Sequence, residues 1–167
     1  MPALVDASDL IQFPEAPFAE DLVASAADQV RILCGWHIAP EVTETLTVES
    51  WGGPVLSLPT LHLTAVTEVR DVTGTDPAVL DRWRKSQSGM LIRIGGWPFG
   101  TVEVDVTHGY PVCPDGLLAV IAERVQQSSR DRSIRQESLG SRSIALGADP
   151  VSPAGQVLSR YTIPAIP

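Results

Sequence analysis

The sequence predicts an α+β fold in which a small helical core of two main helices carries an inserted antiparallel β meander or barrel and an extended C-terminal arm. Apolar residues recur at helical spacing near both ends of the first 130 residues, and the period changes to two between residues 42 and 110. No strong period follows residue 131. We therefore divide the chain into a core domain, residues 1–131, and an arm, residues 132–167.

The first helix is predicted over residues 18–34. Pro17 fits its start, because the N–H that proline lacks would be unpaired in a first helical turn. Gly35 fits its end, where a left-handed residue without a Cβ is favoured. An apolar stripe at helical spacing predicts the buried face. It consists of Leu22, Ala26, Val30 and Leu33, and it is widened by Val23, Ala27 and Cys34.

The β insertion is predicted over residues 42–110, where five short β-type runs are separated by Gly- and Pro-rich turns. The clearest strand is residues 101–107, in which three valines occupy one face and polar residues the other. A second helix is predicted over residues 114–129, and Pro114 fits its first turn. Its apolar face consists of Leu118, Ile121, Ala122 and Val125, and it is broadened by Leu117 and Val120.

The distribution of charge limits the function. The net charge is −8 and the isoelectric point is about 4.7, and both argue against nucleic-acid binding as the main task. Residues 1–50 hold nine acids and a single base, Arg31, whereas residues 117–167 hold six arginines and four acids. This asymmetry suits head-to-tail contacts between copies of the chain.

Targeting signals and cysteine usage point to an intracellular setting. No apolar run approaches the ~20 residues that cross a bilayer. The first 13 residues carry acids where a secretory signal carries Lys or Arg. Two cysteines, Cys34 and Cys113, are too few for a disulfide framework. We therefore expect a soluble protein with no membrane partner, which acts inside the cell or in an assembly made there.

Two short Cys/His spacings carry the main candidate chemistry. Cys34 and His37 precede the β insertion, and His108 and Cys113 end and follow it, so the four side chains could form a tetrahedral zinc site. Cys34 also lies on the apolar stripe of the first helix, where a free cysteine acts as a small buried hydrophobe, and we favour that interpretation. A small metal-binding or hydrolytic accessory protein that uses these four residues is the alternative function.

Other catalytic patterns are missing from the sequence. It has no G-x-S-x-G, no P-loop and no G-x-G-x-x-G motif after a strand. Glu103 and Asp105 share one strand face, which alternation explains as a solvent-facing surface. We therefore predict that the protein is not an enzyme and that it holds no cofactor and no metal.

Five sequence landmarks occur in a fixed order along the chain. They are residues 13–18 (FPEAPF), 35–40 (GWHIAP), 107–110 (THGY), 135–143 (RQESLGSRS) and 158–161 (LSRY). In this order the chain resembles the head-to-tail adaptor, or connector, proteins of long-tailed bacteriophages, in the form common in phages of actinobacteria. The excess of arginine over lysine fits a host with a GC-rich genome.

The resemblance implies a structural virion protein without enzymatic activity. Members of this family form a dodecameric ring under the portal, join the phage head to the tail, and continue the DNA channel. The expected partners are therefore the portal protein, neighbouring copies in the ring, and a stopper (head-completion) or tail-terminator protein. DNA would pass through the lumen without sequence-specific binding during ejection. The expected location is the neck of the virion, after assembly in the host cytoplasm.

The arm is the predicted partner-binding region. Its arginines can form charge-assisted hydrogen bonds with carboxylates of another chain, and its apolar residues can act as anchors. A disordered tail is the alternative interpretation, because the segment is rich in Gly, Pro and Ser. The predicted binding residues are Arg132, Arg135, Glu137, Leu139, Gly140, Arg142, Ile144, Leu158, Arg160 and Tyr161.

Overall fold

The computed structural model describes residues 2–137 and 152–164. Their three α-helices and seven β-strands fall into two compact units, and the predicted α+β fold is confirmed. The helical unit consists of residues 1–35 and 112–167, and the sheet unit consists of residues 36–111. Among the described residues, no helix has both the length and the apolar character needed to span a membrane.

Helix α1 (Glu20–Cys34) ends where the sequence predicts and begins two residues later. Gly35 follows it in the left-handed conformation with φ 77°, and its N–H donates to the Arg31 carbonyl oxygen at 2.9 Å. Ala19 is extended, so the helical backbone starts only at Glu20. The two acids of the first turn favour this start, because they interact with the positive end of the helix dipole.

Helix α2 (Asp115–Glu137) extends well beyond the predicted end at residue 129. No glycine or proline interrupts the chain between Gly116 and Gly140, so nothing in the backbone stops the helix where its apolar face ends. The first three turns carry the buried side chains described for this helix, namely Leu117, Leu118, Val120, Ile121, Ala122 and Val125.

Helix α3 (Pro153–Tyr161) corrects the prediction of an extended arm over residues 132–167. The Ser152 hydroxyl accepts a hydrogen bond from the Gly155 N–H at 3.0 Å, and a proline occupies the first turn, so the helix start is capped. Leu158 is buried, and the helix packs on α1 and α2. The sequence does not predict this helix, because a Ser-Pro start is equally typical of a loop.

The segment that precedes α1 is held on α2. A 3₁₀ turn (Ala7–Leu10) packs on that helix. The Gln126 side chain donates a hydrogen bond to the Pro14 carbonyl oxygen at 2.7 Å, and the Arg130 guanidinium donates to the Glu15 carboxylate at 2.5 Å. The polar second half of α2 therefore serves as a docking surface for the chain's own N-terminal residues.

The sheet unit contains two antiparallel sheets. The four-stranded sheet has the order β1-β7-β3-β4, and the three-stranded sheet has the order β2-β6-β5. The strands are β1 (Val42–Trp51), β2 (Val55–Ser57), β3 (Leu63–Asp71), β4 (Ala78–Val79), β5 (Trp83–Lys85), β6 (Met90–Arg93) and β7 (Phe99–His108).

The strand order differs from a simple meander because the first and last strands of the unit pair with each other. Their register runs from Val42 opposite His108 to Trp51 opposite Phe99. This long pairing brings together the two points where the chain enters and leaves the sheet unit. Two short strands, β4 and β5, occupy a region in which the sequence shows no alternation.

One hydrophobic core serves both sheets. The three alternating valines predicted on the inner face of β7 are fully buried and belong to this core. The three-stranded sheet contributes Leu56 and Leu91, and Trp97 closes the core from the turn before β7. The complete cluster is Leu56, Leu58, Leu63, Val69, Leu91, Trp97, Val102, Val104 and Val106.

Candidate partner-binding surfaces

The predicted arm residues fall into three groups. The last turns of α2 contain Arg132, Arg135 and Glu137. Helix α3 contains Leu158, Arg160 and Tyr161. Outside the described residues lie Leu139, Gly140, Arg142 and Ile144. The binding role of all ten residues stays a prediction.

Leu158 is part of the core of the helical unit. Its side chain is 5% exposed, and α3 packs on both other helices. Arg160 lies on the same helix and is exposed, and Tyr161 is half-buried. A partner that contacts α3 would therefore meet Arg160 and part of Tyr161, whereas Leu158 contributes to the stability of the helical unit.

Both cysteines are free thiols buried in the helical unit. Burial raises the pKa of the Cys34 thiol, although a hydrogen bond with Thr162 opposes the shift. Burial also raises the pKa of the Cys113 thiol to about 12, with a further contribution from the charge of Asp9. A cysteine binds zinc as the thiolate, so both environments disfavour the form of the thiol that binds metal.

The histidines of the proposed zinc set lie in the sheet unit. His108 is 1% exposed, and its Nε2 lies 2.8 Å from a carboxylate oxygen of Glu44. The His37 ring lies edge-on to it at 5.9 Å between centroids, and its Nε2 bonds to the Pro40 carbonyl oxygen. Within the described part of the chain, no group of three or more His, Cys, Asp or Glu residues could hold a metal ion.

His62, the third histidine, contacts the last residues of the sheet unit. His62 Nδ1 lies 2.9 Å from the Gly109 carbonyl oxygen, and its ring lies 4.3 Å from that of Tyr110. The Tyr110 N–H in turn donates to the Ile38 carbonyl oxygen at 2.7 Å. These contacts give the histidine a structural role beside the exit of the sheet unit.

The acidic residues of β7 belong to an ion-pair cluster on the outer face of the four-stranded sheet. The Arg70 guanidinium contacts Asp105 at 3.0 Å, Glu68 at 3.2 Å and Glu103 at 3.4 Å. The Thr45 hydroxyl donates to Asp105 at 2.6 Å, and this hydrogen bond, with a smaller contribution from Arg70, lowers the pKa of Asp105. This cluster organises a solvent-facing surface of the four-stranded sheet.

An exposed aromatic pair ends the same sheet face. Trp51 and Phe99 are opposite each other in the β1–β7 register and are 81% and 70% exposed. Large exposed apolar groups of this kind are typical of protein interfaces. The sequence offers one signal for the pair, since alternation from the buried valines of β7 places Phe99 on the outer face.

The three-stranded sheet also has apolar residues on its outer face. Val55 and Ile92 are cross-strand partners in β2 and β6, and both are about half exposed. Ile94, just after β6, is 83% exposed. The sheet unit therefore presents apolar area on both of its sheets.

Comparison with known proteins finds solved structures of similar fold. No protein-family model and no curated protein matches the chain. Solved structures of gene transfer agent (GTA) particles contain chains of similar fold. The chain aligns with one in the neck of an empty GTA particle computed with C6 symmetry, with a TM-score of 0.63 and 16% identity over 98% of this chain and 92% of that chain.

Two further solved structures of GTA particles also contain a chain of similar fold. A chain in the virion of the native GTA particle aligns with a TM-score of 0.64 and 16% identity, over 99% of this chain and 95% of that one. A chain in the neck of the native particle, computed with C12 symmetry, aligns with a TM-score of 0.54 and 17% identity, over 87% and 82%. The shared feature at this identity is the fold, and it includes both units.

Proposed function

We propose that this protein is a structural component of the neck of a phage-like particle, and that its copies form a ring that joins the head to the tail. The observation that carries this proposal is the shared fold. A chain in a GTA neck aligns over 98% of this chain, so the likeness extends through both the helical unit and the sheet unit.

The proposed ring is a dodecamer that lies under the portal and continues the DNA channel. The neck structures with similar chains were computed with C6 and C12 symmetry, and a dodecamer is compatible with both. In this arrangement the partners are the portal protein on one side and a stopper or tail-terminator protein on the other. The predicted arm, with its arginines, is the proposed contact with the portal or with neighbouring copies of the chain.

The chemistry of the described residues supports a structural role. Burial favours the protonated, unreactive form of both cysteine thiols. The carboxylates of β7 are engaged by Arg70 and Thr45. With a net charge of −8, a ring of such subunits has the same sign of charge as DNA and would not hold it, which suits a channel through which DNA must move.

The proposal is tested by locating the protein in particles. An epitope added at the N-terminus, labelled with gold and viewed by electron microscopy, should place the protein at the junction of head and tail. Particles with the untagged protein serve as the control for non-specific labelling. Label on the capsid shell or on the tail tip would overturn the proposal. Purified particles without any label would also overturn it.

A further inference from the structure

The helical unit contains a cleft between its N-terminal residues and the first half of α1. The cleft has a volume of about 490 Å³. Its floor is apolar and combines the buried side chains of Leu4, Val5 and Val23 with the exposed Ala3 and Ala24. Its rim is acidic and includes three exposed carboxylates, which are those of Asp6, Glu20 and Asp28.

The rim carboxylates have little compensating charge. Among the described residues, Asp6 and Glu20 take part in no ion pair. Asp28 interacts with Arg31, which also donates to the Pro2 carbonyl oxygen at 2.8 Å. An apolar floor with a negative rim fits a segment that carries both arginines and aliphatic side chains, because the two kinds of group then meet their complements.

The chain itself supplies a segment of this composition. Residues 132–144 contain three arginines against one acid, and they also contain Ile134, Leu139 and Ile144. Residues 138–152 connect α2 to α3. At about 3.3 Å per residue they can span up to ~50 Å. Because both of its ends are joined to helices of one subunit, the middle of the segment can extend up to about half that length, ~25 Å, which is enough to reach an adjacent subunit.

We propose that the acid-rimmed cleft of one copy receives residues 132–144 of a neighbouring copy, a contact that deepens and rests on the proposed ring. The arginines bind the rim carboxylates through charge-assisted hydrogen bonds, and the aliphatic side chains cover the apolar floor. The cleft and the segment are different surfaces of the same chain. Contacts between unlike surfaces propagate head to tail and close into a ring when the rotation permits.

Disulfide trapping between two differently tagged full-length copies tests this contact. One copy carries Ala24→Cys in the cleft and the other carries Leu139→Cys. The native thiols are buried and do not compete. We expect mild oxidation to link the mixed copies, both in concentrated solution and in isolated particles. A copy with Ser88→Cys, exposed in the sheet unit, replaces the cleft variant as the control and should not be linked.

Neutral rim residues provide the second arm of the test. Asp6→Asn with Glu20→Gln and Asp28→Asn should lower the linked yield by roughly tenfold, as expected when charge-assisted hydrogen bonds are lost. The control pair Asp76→Asn with Asp81→Asn, exposed in the sheet unit, should leave it unchanged.

Three results would overturn the inference. They are no link between mixed copies, an unchanged yield in the neutral-rim variant, and, for a single chain given both Ala24→Cys and Leu139→Cys, a link only within that chain. The last result would mean that the segment occupies its own cleft. Gold labelling reports on the neck location alone, whereas the solution measurement reports on the contact even if the protein is absent from necks. Failure of the inference is therefore distinguishable from failure of the proposed function.

Discussion

Trp51 and Phe99 lie opposite each other across β1 and β7, with ring centroids 5.7 Å apart and planes at 77°. Edge-to-face pairs contribute about 0.5–1.5 kcal/mol beyond their burial. Both rings remain largely in solvent, so the pair adds little to the core beneath it. An exposed aromatic pair at the end of a strand is more useful to an interface than to the fold.

The first prediction contrasts the two faces of β7. Replacing the aromatic pair, Trp51→Ser with Phe99→Ser, should change the free energy of unfolding by less than ~1.5 kcal/mol, because the rings are exposed. The matched inner-face variant Val104→Ala should cost about 2 kcal/mol or more, because the side chain is fully buried. Chemical denaturation measures both. A larger loss from the outer-face variant would contradict the described strand orientation.

The second prediction concerns the third helix. Leu158→Ala should lower the free energy of unfolding by about 2–5 kcal/mol, since it removes a buried side chain that packs between α3 and its neighbours. Arg160→Ala is the matched control on the same helix and should stay within about 0.5 kcal/mol, because it is exposed. Urea titration followed by circular dichroism provides the comparison. Equal effects of the two variants would show that α3 does not pack as described.

The third prediction concerns pH. Folding raises the pKa of both thiols, that of Cys113 to about 12, so the folded state retains protons that the unfolded state loses from pH ~9 upward. The free energy of unfolding should therefore fall as the pH rises from about 9 toward 12. The Cys34→Ala and Cys113→Ala double variant should show a shallower fall and should still join necks, at a packing cost of ~1–3 kcal/mol at neutral pH.

A parallel pH profile for wild type and double variant would contradict the thiol contribution. The variant also tests the alternative metal site. Loss of neck assembly that added zinc restores in the wild type, but not in the variant, would favour the metal-binding function over a structural one.

The fourth prediction concerns the arm arginines. Arg135→Glu with Arg142→Glu should reduce incorporation into necks without lowering the melting temperature, because the change reverses two charges proposed to meet carboxylates of another chain. Arg82→Glu with Arg84→Glu, exposed in the sheet unit, makes the same charge change elsewhere and should be incorporated normally. Quantitative blotting of purified particles measures the incorporation. Equal incorporation of the two double variants would contradict the binding role of the arm arginines.

The sequence predicts those helices and strands in which buried apolar residues recur at the period of the element. Ala26 and Val30 of the α1 stripe and the alternating valines of β7 are buried, because each recurs on the core face at the period of its element, whereas Leu22 and Leu33 of the stripe are only half-buried. Strand pairing is different, because the β1–β7 contact joins residues far apart in sequence and no local period encodes it. The end of α2 is also hidden, since its polar turns have helix propensity without an apolar face.

The candidate surfaces were predictable to a smaller extent. Arginine content and charge asymmetry point to the back of the chain. The acid-rimmed cleft combines residues of the N-terminal segment with residues of α1, and a cleft of this kind arises only when the segment packs beside the helix. Trp51 and Phe99 become a pair only through the strand register. Both surfaces therefore require the tertiary structure.

A reconstruction of the neck of purified particles by cryo-electron microscopy tests the central claim most directly. The account predicts a ring of this chain between the portal and the tail, in which α1–α3 and the two sheets fit the density of each subunit. A neck whose density is fully explained by other chains, or density for this fold in the capsid shell or at the tail tip, would contradict it.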